Sequence, residues 1–479
     1  MALHSVVLIA PPLSLEARYG KELKHFGAVT EPLGLAYMAA VLEQEGICVS
    51  ILDAPAQQWG TADILAHLQK TKPSLVGISL LTPAFGVVHK LCQRIRQTLP
   101  GSLLVLGGPH CTALPERTLE EIPWADMVCM GEGEITLKEL AQNHPPDTIK
   151  GLCRRTREGE IIKNPPRPFI KDLDEIPRPA RHLLPMDNYH LTASRTSGSS
   201  HCPTLIVARG CPFNCSYCSH TFGRKIRFHS IPRIISEIHE LRTTHGISQL
   251  NIEADTLTAN KKFVTQLCHA LIEEKLNIQW TCESRVDTVD EKLLSLMKQA
   301  GCWQISYGIE TGSQRLLDSI NKGVTLAQVE AAIAATHKAK ISVRGFFMLG
   351  LPTETREESL ETIQFAKRLN PLWAQFTLTT PYPGTPMFAQ LDREGKIKNH
   401  DWENYNTWSG WKASAPLPYV AEGRSVEELA ELQKQALRQF YLRPGPALRF
   451  LGATRSLGDL KKYARGFWVL AKSKLAPMG

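Results

Sequence analysis

The chain has 479 residues, 43% of them hydrophobic and 21% charged, which suffices for packed cores and excludes a disordered chain. Its 12 cysteines fall mostly singly on apolar stretches, where a free thiol acts as a small hydrophobe; this fits a reducing cytoplasm and excludes a disulfide-stapled scaffold. The net charge of +8 is local: Arg449 to Lys474 holds seven Lys/Arg against one acid, Asp459, so the body gives no general case for nucleic-acid binding.

The run Val6–Ala10 stops at Pro11-Pro12 with no basic region before it, so it reads as a first strand and not as a signal peptide. No apolar run approaches bilayer length. Residues 1–150 then alternate strands (Ser5–Ile9, Cys48–Leu52, Leu75–Leu81, Leu103–Leu106, Met127–Met130) with helices (Leu33–Glu45, Thr61–Lys70, Ala84–Thr98). That order predicts a parallel, doubly wound, Rossmann-like sheet with its ligand at the carboxyl ends of the strands. At those ends stand Asp53, Ser79-Leu80-Leu81-Thr82, Gly107-Gly108 and Gly131-Glu132-Gly133-Glu134. Glycines there let backbone approach a ligand closely.

Residues 151–196, rich in proline, arginine and acids, read as an ordered linker. From 197 to about 390 strand and helix alternate six times, with strands at Thr204–Ala208, Gln249–Glu253, Ile278–Cys282, Trp303–Ile309, Val343–Leu349 and Trp373–Thr379. Six units are too few for a closed eight-stranded barrel, so a partial barrel is predicted, with its chemistry at the carboxyl ends. The loop after the first of these strands reads Cys211-Pro-Phe-Asn-Cys215-Ser-Tyr-Cys218. A [4Fe–4S] cluster takes four ligands, so these three thiolates leave one iron open to a ligand other than protein. With His220 they could instead form a Cys3His zinc site, although zinc ligands usually come as two separated pairs.

The C-x3-C-x2-C spacing, with aromatic Tyr217 before the last cysteine, resembles the radical S-adenosylmethionine (SAM) family. The resemblance implies that SAM chelates the open iron. It further implies Arg285 against the ligand carboxylate, Glu253, Glu283 and Glu310 on its ammonium and ribose, and Gly308 and Tyr217 beside the nucleoside. Each carboxylate also has the plain reading of a solvated loop charge.

The N-terminal domain resembles the cobalamin-binding domain, on the S-x-L step Ser79–Leu81 and on Gly107-Gly108. The usual D-x-H-x-x-G is missing, and its place reads Glu31-Pro32-Leu33-Gly34. The resemblance therefore implies cobalamin without a histidine beneath the cobalt, with Asp53, Thr82, Gly131 and Gly133 as further contacts. A generic flavodoxin-like domain is the plain alternative.

Together the resemblances imply a cobalamin-dependent radical SAM enzyme that methylates carbon or phosphorus of a small-molecule or lipid-like substrate. They further imply an electron donor such as flavodoxin or ferredoxin. Radical cyclisation or ring rearrangement is the runner-up. A cobalamin sensor or a zinc-stabilised module is a reading from another class.

Residues 391–479 read as a small helical cap. Pro381–Pro386 is placed as a lid edge. Trp402, Tyr405, Trp408 and Trp411 either line a pocket or form core, and Ser425–Leu442 is a helix. The basic amphipathic stretch Leu457–Leu475 either packs on the body or lies on an anionic membrane.

Overall fold

The computed structural model describes residues 5–192, 194–196, 202–411 and 416–445, and in the tail residues 464, 466 and 468–470. Two sheets dominate it. The first contains β1 (Ser5–Ala10), β2 (Cys48–Asp53), β3 (Leu75–Ser79), β4 (Leu103–Gly107), β5 (Met127–Cys129), β6 (Leu152–Arg155) and β7 (Ile161–Lys163). They lie in the order β2-β1-β3-β4-β5-β6-β7. The pairs among β1–β5 are parallel, with Ile9 of β1 opposite both Leu52 and Ile78. Helices cover both faces, so β1 is a near-continuous apolar run with Val6 to Ile9 buried. Strand order reverses between β1 and β3, the crevice where doubly wound sheets take ligands.

The expected linker is only partly one. β6 and β7 extend the sheet antiparallel beyond residue 150, because Leu152 and Cys153 are apolar residues that β5 can bury. The chain from Ile170 to Ile176 then lies on the helix Leu33–Gln44, closing a small core with Leu33 and Tyr37.

The second sheet is built from β8 (Thr204–Ile206), β11 (Gln249–Glu253), β12 (Gln279–Ser284), β13 (Cys302–Glu310), β14 (Ser342–Leu349) and β15 (Trp373–Leu378). These six are all parallel and stand in sequential order, with β8 and β15 as unpaired edges. This is the open partial barrel that six βα units predict. Its helices carry their own start signals: Thr325 and Thr355 form capping boxes with Gln328 and Glu358. The remaining strands, β9 (Ala208–Arg209) and β10 (Arg227–Phe228), make a short antiparallel ribbon that closes the base of the cysteine loop. Gly210 enters that loop at φ +97°, where a Cβ would stand 2.4 Å from the Lys225 carbonyl, so only glycine fits.

The C-terminal segment binds the two halves together. Trp402 and Tyr405 bury themselves in the core of the first domain, while Trp411 and the helix Val426–Tyr441 pack into the barrel core. Most of Leu457–Leu475 lies outside the described residues. Within it, Val469 belongs to the barrel core and Trp468 is 57% exposed. Among the described residues no helix is long and apolar enough to cross a membrane.

Candidate active site

A cavity of about 960 Å³ opens between the two halves. Its walls come from Leu81, Thr82 and Pro109 at the strand ends of the first domain, and from Cys218, Glu253 and Arg344 of the barrel. Tyr382 and Pro383 of the predicted lid edge, Trp408, and Val469 of the tail complete it. The aromatic cluster thus divides: Trp402, Tyr405 and Trp411 are core, and Trp408 lines the cavity. A smaller cavity of about 190 Å³ adjoins it and shares Tyr217, Cys218 and Phe346 as walls.

All three loop cysteines line the smaller cavity. The loop is pinned to the barrel by Ser216, whose N–H donates to Ile320 O (2.9 Å) and whose carbonyl accepts from Met387 N (2.8 Å). Burial, followed by the two neighbouring cysteines, pushes the Cys218 thiol up to about 12. Three crowded thiols resist joint ionisation unless a positive group sits among them. Among the described residues no three His, Cys, Asp or Glu side chains converge on a single ion. A cubic cluster needs no such convergence, because each thiolate binds a different iron. The donor set therefore fits a cluster better than a Cys3His zinc site.

Arg285 is buried at this loop, but its fork is taken. Nε and Nη2 grip Asp287 (both 2.9 Å), Nη2 also donates to Lys322 O (2.6 Å), and Nη1 donates to Cys215 Sγ (3.5 Å). It also stacks on Phe213, 3.8 Å from the ring centre. Arg285 thus touches one of the three loop cysteines, and its bidentate face is not open to a second carboxylate.

Glu310 is likewise engaged. Its Oε1 accepts from Tyr217 OH (2.8 Å) and from Lys322 Nζ (2.6 Å), and Lys322 also donates to Tyr217 OH (2.9 Å). Lys322 and this triad went unread in the sequence, since no spacing joins residues so far apart. Glu310 sits at φ +69°, beside a register shift between Gly308 and Glu310. Such strain in a non-glycine residue marks a place held by its surroundings. A Cβ on Gly308 would lie 2.4 Å from Glu310 Oε1 and 2.9 Å from Lys322 Nζ, so glycine there makes room for the ion pair.

Glu253 and Glu283 end adjacent strands, and Glu283 forms an ion pair with Arg195. The Glu253 carboxylate is open to the cavity yet surrounded by protein. Burial, then Glu283, raises it to about 6 from an ordinary 4.5. The folded chain therefore binds more protons than the unfolded chain between those values, and stability falls as pH rises through that window. In ligand-free protein, Glu253→Gln is expected to flatten the fall of midpoint temperature between pH 4.5 and 6, leaving the part due to Glu354, which burial raises to about 7.

Not all the expected first-domain residues reach the cavity. Asp53 caps the short helix that follows it through Ala56 N (3.2 Å) and accepts from Tyr189 OH of the linker (2.8 Å), a structural use of its carboxylate. Leu81 and Thr82 are cavity walls, while Ser79, Gly107, Gly108, Gly131 and Gly133, at or after the carboxyl ends of β3, β4 and β5, do not line it. Gly108 has φ +105°, and a Cβ there would meet Leu80 O at 3.0 Å. His110 is buried against Phe85 and Trp402 and accepts or donates to Thr82 Oγ1 (3.1 Å). Burial holds it down to about 4, so it stays neutral.

Glu132 and Glu134, expected only as part of a glycine turn, lock the domains together. Glu132 meets Arg209 (3.0 Å) and Arg227 (2.8 Å), and Glu134 meets Arg209 (2.7 Å). All four side chains are buried. Because Arg209 and Arg227 belong to the ribbon below the cysteine loop, the first domain is fastened to the base of that loop.

Comparison with known proteins matches this arrangement. Residues 23–141 match the B12 binding domain and residues 205–366 the radical SAM superfamily. The chain is 35% identical to the uncharacterized methyltransferase PH0819 of Pyrococcus horikoshii, over 93% of this chain and 94% of that protein. It is 30% identical to the anaerobic magnesium-protoporphyrin IX monomethyl ester cyclase of Rubrivivax gelatinosus, over 78% of this chain and 68% of that one. In fold it resembles the radical SAM methyltransferase TsrM of Kitasatospora setae, whose structure has cobalamin and a [4Fe–4S] cluster bound. The TM-score is 0.71 at 16% identity, with 99% of each chain covered. A B12 binding domain joined to a radical SAM barrel, in a chain matched almost end to end by a relative, makes this protein an enzyme of the cobalamin-dependent radical SAM family.

Proposed function

We propose that the enzyme is a methyltransferase acting on a small molecule held in the large cavity. The observation that carries this reading is the cavity itself, which joins the strand ends of the B12 binding domain to Tyr217 and Cys218 of the cysteine loop. A methyl carrier on one wall and a radical source on the other would both face one substrate. When bound, the cluster, SAM and cobalamin supply reductive cleavage of SAM to a 5′-deoxyadenosyl radical and transfer of a methyl group; the hard chemistry is theirs.

The chain's own residues hold and insulate. Cys211, Cys215 and Cys218 ligate the cluster, and Arg285 donates to the sulfur of Cys215. Glu253, Glu283 and the Glu310–Lys322–Tyr217 triad surround the place of SAM, and Gly308 keeps that triad uncrowded. Leu81, Thr82 and Pro109 form the cobalamin wall, where no histidine lines the cavity among the described residues. The first domain comprises residues 1–150 with the strands that follow, and the barrel ends near residue 390. Val469 packs into the barrel core and lines the cavity, which supports a role for this residue in closing the site rather than in membrane contact. A cytoplasmic location and a flavodoxin- or ferredoxin-type donor follow from the need for reduced thiols and single electrons.

The test is anaerobic reconstitution. About four irons per chain and one cobalamin, with both 5′-deoxyadenosine and S-adenosylhomocysteine formed from SAM and dithionite, are expected. 5′-Deoxyadenosine alone would move the assignment to the cyclase-type reaction, which the 30% identity to the Rubrivivax cyclase favours as second reading.

A further inference from the structure

We propose that Arg344 anchors an anionic group of the substrate, so that the substrate class is a carboxylate or phosphate carried on an aromatic or apolar body. This deepens the methyltransferase reading and rests on it for the identity of the cavity.

Arg344 is on β14, in register with Ser306 of β13 and Trp373 of β15, and lines the large cavity. Its side chain is only 8% exposed, yet among the described residues no carboxylate pairs with it. The other buried arginines differ: Arg181, Arg209, Arg227 and Arg285 each hold an acid. Arg344 Nη2 donates to Gln375 Oε1 (2.7 Å), and Nη1 has no partner. Glu283, the nearby acid, is already engaged by Arg195. A buried guanidinium without a counter-charge is costly and is kept where a ligand supplies the charge. Burial and the neighbouring Arg195 depress its pKa to about 10, which still leaves it cationic at neutral pH.

The walls around it define the rest of the ligand. Tyr19, Trp373, Trp408, Leu437, Tyr441 and Leu470 line the same cavity, and Phe346 lies against the guanidinium at 4.8 Å. A planar fork suits the two oxygens of a carboxylate or phosphate, while aromatic walls suit an apolar body. SAM is a poor occupant for this position. It must reach the open iron at the cysteine loop, and Arg344 is not a wall of the smaller cavity there.

Titration calorimetry of the reconstituted enzyme with 2-naphthoate, 2-naphthyl phosphate and neutral 2-naphthamide tests this. Either or both anions are expected to bind more tightly than the amide, and whichever is preferred identifies carboxylate or phosphate. Arg344→Gln is expected to weaken anion binding about tenfold or more, as loss of a charge-assisted pair does, and to leave the amide unchanged. Arg344→Lys should retain part of the preference, which separates loss of charge from loss of fold. Failure of every probe to bind the unaltered enzyme, equal losses for anions and amide, or a loss of SAM affinity in their place would overturn the proposal. Absence of 5′-deoxyadenosine from the same unaltered preparation would instead sink the radical reading, and leave the anion titration to stand.

Discussion

Replacing Cys215 by alanine is expected to abolish SAM cleavage and to lower iron to background, while cobalamin remains near one per chain. Two thiolates cannot hold a cluster that already lacks a fourth protein ligand. Cys215 is also the cysteine that Arg285 contacts, so its removal deprives the loop of a buried contact as well as one of the three thiols proposed to hold the cluster. Cobalamin should survive because the walls assigned to it come from the first sheet, and because the inter-domain ion pairs involve other residues. Iron and cobalt analysis of the purified variant, with 5′-deoxyadenosine formation, reads all three outcomes. Loss of both metals together would mean that the first domain keeps its ligand only while the loop is filled.

The second large effect is on stability. Glu132→Ala removes the acid shared by two buried arginines and leaves Glu134 alone against both charges. Breaking a buried pair from one side costs about 3–5 kcal/mol, because the orphaned charge stays desolvated. The unfolding midpoint in denaturant is expected to fall accordingly. Adding Arg227→Met should recover part of the loss, because the apolar side chain leaves one fewer charge unpaired. A variant as stable as the parent protein would show that water reaches the arginines and that the pairs carry little.

The fold was legible because the period of its elements is regular. Gln249–Glu253 falls at the residues that apolar spacing marks, and the order of the strands follows from alternation alone. The cysteines were legible for a different reason, since all three come from one loop and their spacing is local. Long-range pairing was not. Arg285 was read as an open fork, but Asp287, two residues away, occupies it, and nothing in the sequence ranks a near acid above a bound ligand. Asp53 sits at a strand end, as a ligand contact would, and is claimed by Tyr189 from 136 residues away. Lys322 and Arg344 carry no motif: Lys322 lies in the loop after the helix Gln314–Ser319 and Arg344 near the start of β14, and only the folded barrel brings them to the cavities.

The Glu132–Arg209–Arg227–Glu134 cluster also bears on how such enzymes can be recombined. Two acids from one domain balance two bases from the other, so each half is charge-complete only with its own partner. A chimera that took its B12 binding domain from a relative without those acids would bury two like charges at the joint, a mismatch that opposes docking whatever the rest of the surface offers. Exchange of substrate range between relatives is therefore easier through the cavity walls than through the domains. Where a whole domain is to be moved, Glu132 and Glu134 must travel with Arg209 and Arg227 as one unit.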